Sequence, residues 1–337
     1  MHLRKFNFTK GITHGGTVFH SDDVFATALC KYFAEKEGLS FEASRQINVT
    51  EEEINNPNII IYDIGKIYNP EIGLFDHHQK ETPIREDGQK YSACGLILKD
   101  FGPTYFTEKE LSVLQNITTL IDYHDNGKLF ANESKPEEIY EFSFFAPTWN
   151  ENPQLQTEYF NNAVNLALKT IKYEIDLANG IDNKSLKQEI TEQLMQRETI
   201  QENARKDAEK IAVNSLETLD NGIVTLPCFA PVRDIYANPD FLETHNVENI
   251  FFIIYPGDRD PFTTQIVPAK PNVFDLKIPE GFNTSLDKDE NEKFVLPDGI
   301  TFVHATGFLA ACETYESAIE LCNNTLKEYN NTLSIEK

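Results

Sequence analysis

The sequence is short of basic residues. Its 337 residues include 30 Lys and Arg against 54 Asp and Glu, which gives a formal net charge of -24 at pH 7. Proteins that grip a long duplex nucleic acid do so largely by neutralising phosphates with Lys and Arg. The composition therefore argues against long duplex DNA as a partner. It stays compatible with a small phosphorylated molecule held through bound cations, which reverse the local field. Acidity that serves only solubility is the alternative.

Paired cysteines and long hydrophobic runs are also missing. The five cysteines are scattered, and none belongs to a Cys-x-x-Cys pair, so neither a zinc ribbon nor a disulfide framework is predicted. The N-terminal residues have no apolar signal core, and no segment reaches the apolar length of a membrane span. We therefore expect reduced thiols in a soluble, cytoplasmic protein with no membrane partner.

Several catalytic and nucleotide-binding motifs are absent as well. The sequence has no Gly-x-x-x-x-Gly-Lys-Ser/Thr phosphate loop, no Gly-x-Ser-x-Gly elbow and no His-Glu-x-x-His zinc helix. The glycines between positions 11 and 16 do not match a dinucleotide fingerprint. No local pattern supports a nucleophilic cysteine.

The pattern of apolar residues predicts an α/β protein with more than one domain, because a chain of this length exceeds one ordinary core. Residues 1–150 alternate between strand-like and helix-like segments, which predicts a mostly parallel sheet flanked by helices. Residues 151–220 carry apolar positions at three- and four-residue intervals and are predicted to be a helical connector. Residues 221–337 are predicted to form a smaller α/β domain.

In this smaller domain, segments 249–255 and 263–267 are predicted to pair as a hairpin. Segment 302–312 is predicted to be a strand, a loop and the start of a helix. A final helix is expected over 314–329.

The triplet Asp76, His77, His78 is the most informative feature that is present. It follows the apolar run 59–62, which reads as a buried parallel strand that delivers Asp63 to the carboxyl edge of the sheet. Adjacent residues in an extended segment point in opposite directions. One imidazole could therefore bind a metal ion while the next faces a substrate, with Asp76 orienting an imidazole from behind.

A second group of His and Asp lies upstream. His14, His20, Asp22 and Asp23 fall in segment 13–23, together with two glycines that permit close backbone approach to a ligand. The competing interpretation is a polar loop followed by carboxylates that cap a helix.

Asp122 and Asp125 end a predicted helix, where carboxylates oppose the helix dipole, so a role other than stability is indicated. Taken together, these segments supply the imidazoles and carboxylates that a pair of divalent metal ions requires.

The ordered set of motifs resembles the melanocyte-proliferating-gene (Myg) family, a branch of the DHH phosphoesterase superfamily. The motifs are Thr-His-Gly-Gly-Thr-Val-Phe-His-Ser-Asp-Asp, Tyr-Asp-Ile-Gly, Phe-Asp-His-His-Gln, Ser-Ala-Cys-Gly-Leu, Asp-Tyr-His-Asp-Asn-Gly and Phe-Val-His-Ala-Thr-Gly-Phe. The resemblance spans nearly the whole chain. It implies a two-domain phosphohydrolase with two divalent metal ions, Mn²⁺ or Mg²⁺, in a family whose eukaryotic members have been described as 3′-to-5′ RNA exonucleases.

The resemblance also implies roles for individual residues. The implied metal ligands are His14, His20 and Asp22 from the first motif, Asp63 as a bridge, and His77 with Asp125 at the second ion. His78 would face the scissile phosphate, with Asp76 as a further catalytic residue. His304 and Gly307 would contact the substrate from the C-terminal domain. Family members usually space the two first-motif histidines one residue closer, and Asp122 is the alternative to Asp125.

The leading functional hypothesis is hydrolysis of a phosphodiester by a two-metal mechanism, with a small phosphorylated molecule or short single-stranded RNA as substrate. One alternative is a pyrophosphatase-like hydrolase of small phosphates. The other is a non-catalytic metal- or nucleotide-binding protein. Assembly into a homo-oligomer is left open.

Overall fold

The apolar run Ile59–Tyr62 forms a fully buried strand at the centre of a five-stranded sheet. The structure is a computed structural model, which describes residues 4–16, 19–79, 81–126, 153–257, 262–267, 298–303 and 309–335. Contacts divide the described residues into a first unit, which ends at Gln201, and a second unit, which begins at Glu202.

The sheet of the first unit is mostly parallel, as predicted. Its strands are β1 (Lys10–His14), β2 (Glu42–Gln46), β3 (Ile59–Tyr62), β4 (Tyr68–Asn69) and β5 (Leu74–Phe75). They lie in the order β2-β1-β3-β5-β4, and only the pair of β4 and β5 is antiparallel. The carboxyl ends of β1 and β3 therefore meet at one edge, where open α/β sheets bind their ligands.

Helices cover this sheet. They are α1 (Ser21–Lys36), α2 (Glu51–Ile54), α3 (Ala93–Tyr105), α4 (Glu108–Asp125), α5 (Pro153–Ala178) and the start of α6 (Lys184–Ser215). Helix α1 is buried along most of its length, because it packs against both α3 and α5. Its first turn nevertheless carries two buried acidic residues, and a buried charge needs partners.

Aromatic side chains form much of the core between these helices. Phe33 of α1 is fully buried. Its ring centroid lies between 4.8 and 5.9 Å from those of Phe6, Phe101, Tyr105 and Phe106. Such pairs add to the stabilisation that burial provides, so this cluster fixes α1 against α3.

The second unit contains a mixed sheet. Its strands are β6 (Ile223–Thr225), β7 (Phe252–Tyr255), β8 (Phe262–Ile266), β9 (Ile300–Val303) and β10 (Leu309–Cys312), in the order β6-β7-β8-β10-β9. Its helices are the end of α6, α7 (Arg233–Tyr236), α8 (Pro239–Thr244) and α9 (Tyr315–Ile335).

Two expectations for this unit have different outcomes. Strands β7 and β8 pair antiparallel, with Phe252 opposite Ile266, which confirms the predicted pairing. The prediction of a helix start within 302–312 is wrong. Leu309–Cys312 is a strand, and the helix begins only at Tyr315. A short apolar run does not distinguish a buried strand from a helical turn by periodicity.

The α/β fold class with two mixed sheets and flanking helices is confirmed. The three-part domain division stays a prediction. Helix α5, expected in the connector, packs against α1 within the first unit, and α6 crosses the boundary between the units at Glu202. Among the described residues, no helix is long and apolar enough to span a membrane.

The aromatic cluster yields a prediction for stability. Phe33→Ala should lower the free energy of unfolding by about 3–5 kcal/mol, because it removes a large side chain from a site that is closed on all sides. Urea denaturation followed by circular dichroism measures this loss. Ile181→Ala, at a side chain that is 55% exposed, is the control, and its effect should stay within about 0.5 kcal/mol. Equal effects of the two substitutions would contradict the assignment of Phe33 to the core.

Candidate metal centre

Asp63 lies at the carboxyl end of β3 with a positive backbone φ of 58°. Its side chain is only 5% exposed. Few residues other than glycine adopt this left-handed conformation, and Asp is among those that tolerate it. Such strain is characteristic of functional positions. The conformation places the Asp63 carboxylate between two imidazoles, with Oδ2 2.9 Å from His14 Nδ1 and Oδ1 3.3 Å from His77 Nε2.

The first cluster consists of His14, Asp23 and Asp63. His14 ends β1, and Asp23 comes from the first turn of α1. Asp23 Oδ2 lies 3.1 Å from His14 Nδ1. The single hydrogen that Nδ1 can carry serves one carboxylate at a time, and Asp23 Oδ2 is buried without a hydrogen bond from the described residues. Burial lowers the pKa of His14, but the neighbouring carboxylates of Asp23 and Asp63 raise that pKa to about 10 overall.

The second cluster consists of Asp22, His77 and Asp125. His77 Nε2 lies 3.1 Å from Asp125 Oδ2 and 3.9 Å from Asp22 Oδ2. This nitrogen is buried, and within the described part of the chain no oxygen meets it in hydrogen-bonding geometry. Burial lowers the pKa of His77, but Asp63 and Asp125 raise it to about 10 overall. Burial and the neighbouring Asp22 raise the pKa of Asp125 well above its usual range.

The two clusters have side chains that could hold metal ions. Within each cluster the ligand atoms all lie within 4.8 Å of one another. Asp63 contacts His14 through one carboxylate oxygen and His77 through the other, which is the arrangement of a bridging ligand. Carboxylate donors suit Mn²⁺ and Mg²⁺, and imidazole is a common ligand of transition-metal ions. The buried atoms Asp23 Oδ2 and His77 Nε2 have no hydrogen bond from the residues that the structure describes, so both could serve as ligand atoms.

Asp76 and His78 lie beside Asp63 and play different parts. Asp76 Oδ1 accepts hydrogen bonds from the backbone amides of His77 at 2.6 Å and His78 at 3.0 Å, while Oδ2 accepts one from Lys66 at 2.6 Å. Its Oδ1 is also 2.7 Å from His78 Nδ1. Asp76 therefore fixes the turn that carries both histidines. The side chain of His78 is 53% exposed, whereas that of His77 is 5% exposed, so the two imidazoles face different surroundings.

The structure brings together only some of the residues expected as ligands from the first motif. His20 belongs to none of the clusters found among the described residues. Its exposed ring stacks on that of His14 at 5.4 Å, and its backbone amide donates to Asp23 Oδ1. Asp23 lies with His14 in the first cluster, and Asp22 lies in the second cluster. The expected ligand set stays a prediction. Consecutive helical residues point about 100° apart, so an Asp-Asp pair at a helix start can serve two sites, a signal that sequence reasoning missed.

The two alternative ligands at the end of α4, Asp122 and Asp125, have different surroundings. Asp125 lies in the second cluster, whereas Asp122 forms a salt bridge with Arg85 at 2.6 Å and accepts hydrogen bonds from Ser92. His304 and Gly307 lie outside the described residues.

Comparison with known proteins identifies the family. The model of the family MYG1_exonuc, described as "Uncharacterised protein family (UPF0160)", matches residues 10–326. The chain belongs to the Myg family. This confirms the relationship that the ordered motifs predicted. The match covers both units, so membership extends beyond the two clusters.

Individual relatives in the Myg family are distant, and some of them align with nearly the whole chain. The chain is 25% identical to the human MYG1 exonuclease over 353 residues, which cover 94% of this chain and 85% of that protein. It is 26% identical to a MYG1 protein of Schizosaccharomyces pombe over 349 residues, which cover 95% and 98%. A MYG1 protein of Chlamydia pneumoniae is 32% identical over 125 residues, which cover 36% of this chain.

The raised pKa values predict that metal binding releases protons. At about pH 7.5, imidazoles with a pKa of about 10 are protonated in the metal-free protein, and they must lose that proton to present a lone pair to an ion. Binding of Mn²⁺ should therefore tighten as the pH rises from about 7 towards 10. Titration calorimetry in buffers of different ionisation enthalpy measures the released protons.

His77→Ala should release about one proton fewer than the wild-type protein. His245→Ala, at a histidine of the second unit, is the matched control and should behave as the wild-type protein does. If the wild-type protein binds Mn²⁺ without releasing protons, the imidazoles are not protonated in the metal-free protein.

Proposed function

We propose that this Myg-family protein is a metal-dependent phosphodiesterase that removes nucleotides from short single-stranded RNA. The observation that carries the proposal is the Asp63 carboxylate, which contacts one imidazole of each cluster through a different oxygen. The names of the human and mouse relatives, MYG1 exonuclease, support a nuclease activity. When bound, a pair of divalent ions supplies Lewis acidity towards a phosphoryl group and a water molecule acidified at neutral pH.

Residues of both clusters would hold the two ions. His14 and Asp23 would hold one ion, Asp22, His77 and Asp125 would hold the other, and Asp63 would bridge them. Asp63 would hold both ions from one rigid carboxylate at a buried strand end.

His78 would act on the substrate. Its ring lies at the exposed side of the centre, with Nδ1 2.7 Å from Asp76 Oδ1 and 3.7 Å from Asp63 Oδ1. A carboxylate that holds Nδ1 leaves Nε2 directed away from Asp76. From that position, Nε2 can donate to a phosphoryl oxygen on which negative charge develops in the transition state.

The charge of the chain limits the substrate. A formal net charge of -24 opposes the approach of a long polyanion, since no compensating excess of Lys and Arg is present. A short oligoribonucleotide presents few phosphates, and those that reach the centre would be offset by its cations. This favours short RNA or small nucleotides over long duplex DNA.

Substitution of the bridging residue and of one imidazole tests the proposal. Asp63→Ala and His77→Ala should each lower Mn²⁺-dependent hydrolysis of short RNA by about a thousandfold or more, which corresponds to about 4 kcal/mol in the barrier. The circular dichroism of both variants should remain that of the wild-type protein. His245→Ala is the control. Full turnover by both variants at a chelator-controlled Mn²⁺ concentration would refute the metal centre.

A substrate panel separates the alternatives. Oligoribonucleotides labelled at the 5′ or the 3′ end, a cyclic dinucleotide and inorganic pyrophosphate would be incubated with Mn²⁺ or Mg²⁺. Stepwise shortening of RNA supports the proposal. Hydrolysis of pyrophosphate alone would favour the small-phosphate hydrolase. Two bound ions per chain, measured by elemental analysis, without hydrolysis of any substrate would favour a binding protein.

A further inference from the structure

The start of α3 receives two carboxylates from two other helices. Asp22, from α1, accepts hydrogen bonds on Oδ1 from Ser92 Oγ at 2.7 Å and the amide of Cys94 at 2.6 Å. Its Oδ2 accepts one from the amide of Ala93 at 2.9 Å. Three donors from one helix start therefore hold this carboxylate, and its Oδ2 also lies 3.9 Å from His77 Nε2.

Asp122, from α4, is held at the same place. Its Oδ1 accepts hydrogen bonds from the amide of Ser92 at 3.0 Å and lies 2.8 Å from Ser92 Oγ. Its Oδ2 forms a salt bridge of 2.6 Å with Arg85 Nη1. Gly95 leaves room for the carboxylate, because a Cβ at that position would collide with both oxygens of Asp122. The contact therefore depends on the absence of a side chain there.

Ser92 Oγ links the two carboxylates. It lies within hydrogen-bonding distance of Asp22 Oδ1 and of Asp122 Oδ1 and donates its single hydrogen to one of them at a time. Capping of α3 alone would need only one acceptor for each of its free amides. The second buried carboxylate adds a like charge beside Asp22, and that costs free energy unless a cation compensates it. Arg85 provides this cation, since its guanidinium contacts both Asp122 and Thr119 of α4.

The contacts at the start of α3 also position residues of the second cluster. Asp122 precedes Asp125 by three residues on α4, so the two lie on the same face of that helix. Anchoring Asp122 to the start of α3 thus fixes the part of α4 that carries Asp125. The same anchor fixes Asp22 of α1. Both oxygen ligands of His77's cluster are therefore set by one helix start, whereas His14 and Asp23 of the other cluster make no hydrogen bond to it among those described.

We propose that Ser92, Asp122 and Arg85 are positioning residues, which hold Asp22 and Asp125 at the spacing that the second metal ion requires. The inference rests on the proposed two-metal centre. None of the three residues is a ligand. Residues that orient metal ligands in this way typically change metal affinity by about 10- to 100-fold when they are substituted.

Ser92→Ala tests the proposal directly. It removes the hydroxyl that links the two carboxylates and keeps the backbone amides that cap α3. Wild-type protein should take up two Mn²⁺, measured by calorimetry at chelator-controlled Mn²⁺. In Ser92→Ala, one ion should bind with wild-type affinity and the other about 10- to 100-fold more weakly. The electron paramagnetic resonance spectrum of a coupled manganese pair should give way to that of an isolated ion at the same Mn²⁺ concentration.

Two further variants keep the test decisive. Arg85→Gln, on the segment before α3, leaves Asp122 without its counter-charge and should weaken the same ion even if Ser92→Ala fails to fold. Thr118→Val is the matched control. It removes an equally buried hydroxyl on α4 that donates only to a carbonyl of its own helix, that of Gln115, and it should leave both affinities unchanged.

The outcomes separate this inference from the proposed function. Two ions bound with wild-type affinity in both Ser92→Ala and Arg85→Gln would overturn the positioning role and leave the metal centre intact. Equal weakening of both ions, shared by Thr118→Val, would show general loosening and would also overturn it. A wild-type protein that binds no Mn²⁺ would overturn the proposed function itself.

Discussion

The concentration of buried negative charge around Asp63 is the constraint on which the rest of the first unit depends. Asp22, Asp23, Asp63, Asp76 and Asp122 are all buried. Removing so many carboxylates from water is costly unless each finds a partner. Burial raises the pKa of Asp63, but the neighbouring imidazoles of His14 and His77 lower that pKa below its usual range overall. The two imidazoles thus supply positive charge beside the shared Asp63 carboxylate, and divalent ions would supply more.

The fold supplies the other partners through backbone amides and one guanidinium. Amides at the start of α3 hold Asp22, and amides of residues 66, 77 and 78 hold Asp76. Arg85 holds Asp122. Burial raises the pKa of Asp122 to about 6 even though the hydrogen bonds from Ser92 oppose the change. Burial therefore has the largest effect on the pKa of the Asp122 carboxyl group, and the neighbouring Arg85 offsets part of that effect.

The sequence predicted the parts of this arrangement that depend on local pattern. The run 59–62 is apolar at every position, so it identifies a buried strand with Asp63 at its end, and the structure has that strand. The mostly parallel sheet and the pairing of β7 with β8 follow from similar runs. The Asp-His-His triplet was sufficient to suggest that neighbouring imidazoles would face different surroundings, and His77 and His78 do differ in exposure.

The features that the sequence did not predict depend on the rotation and packing of the helices. The division of Asp22 and Asp23 between two clusters depends on the rotation of α1, which is set by the aromatic packing around Phe33 rather than by the motif itself. The choice between Asp122 and Asp125 depends on the proximity of α3 to α4, since Gly95 and Ser92 receive the first of them. Spacing along one segment carries no information about contacts between residues that are 27 to 72 positions apart.

The two clusters differ in how far the protein alone determines them. In the second, Asp22 receives three donors and Asp122 holds the helix that carries Asp125, so the oxygen ligands are in place before an ion binds. In the first, Asp23 Oδ2 is buried without a hydrogen bond from the described residues, and His14 lies between two carboxylates that compete for one hydrogen. An ion would relieve both conditions at once, because it attracts all the ligand atoms together. One cluster is thus organised by the fold, and the other would be organised by the ion that we propose for it.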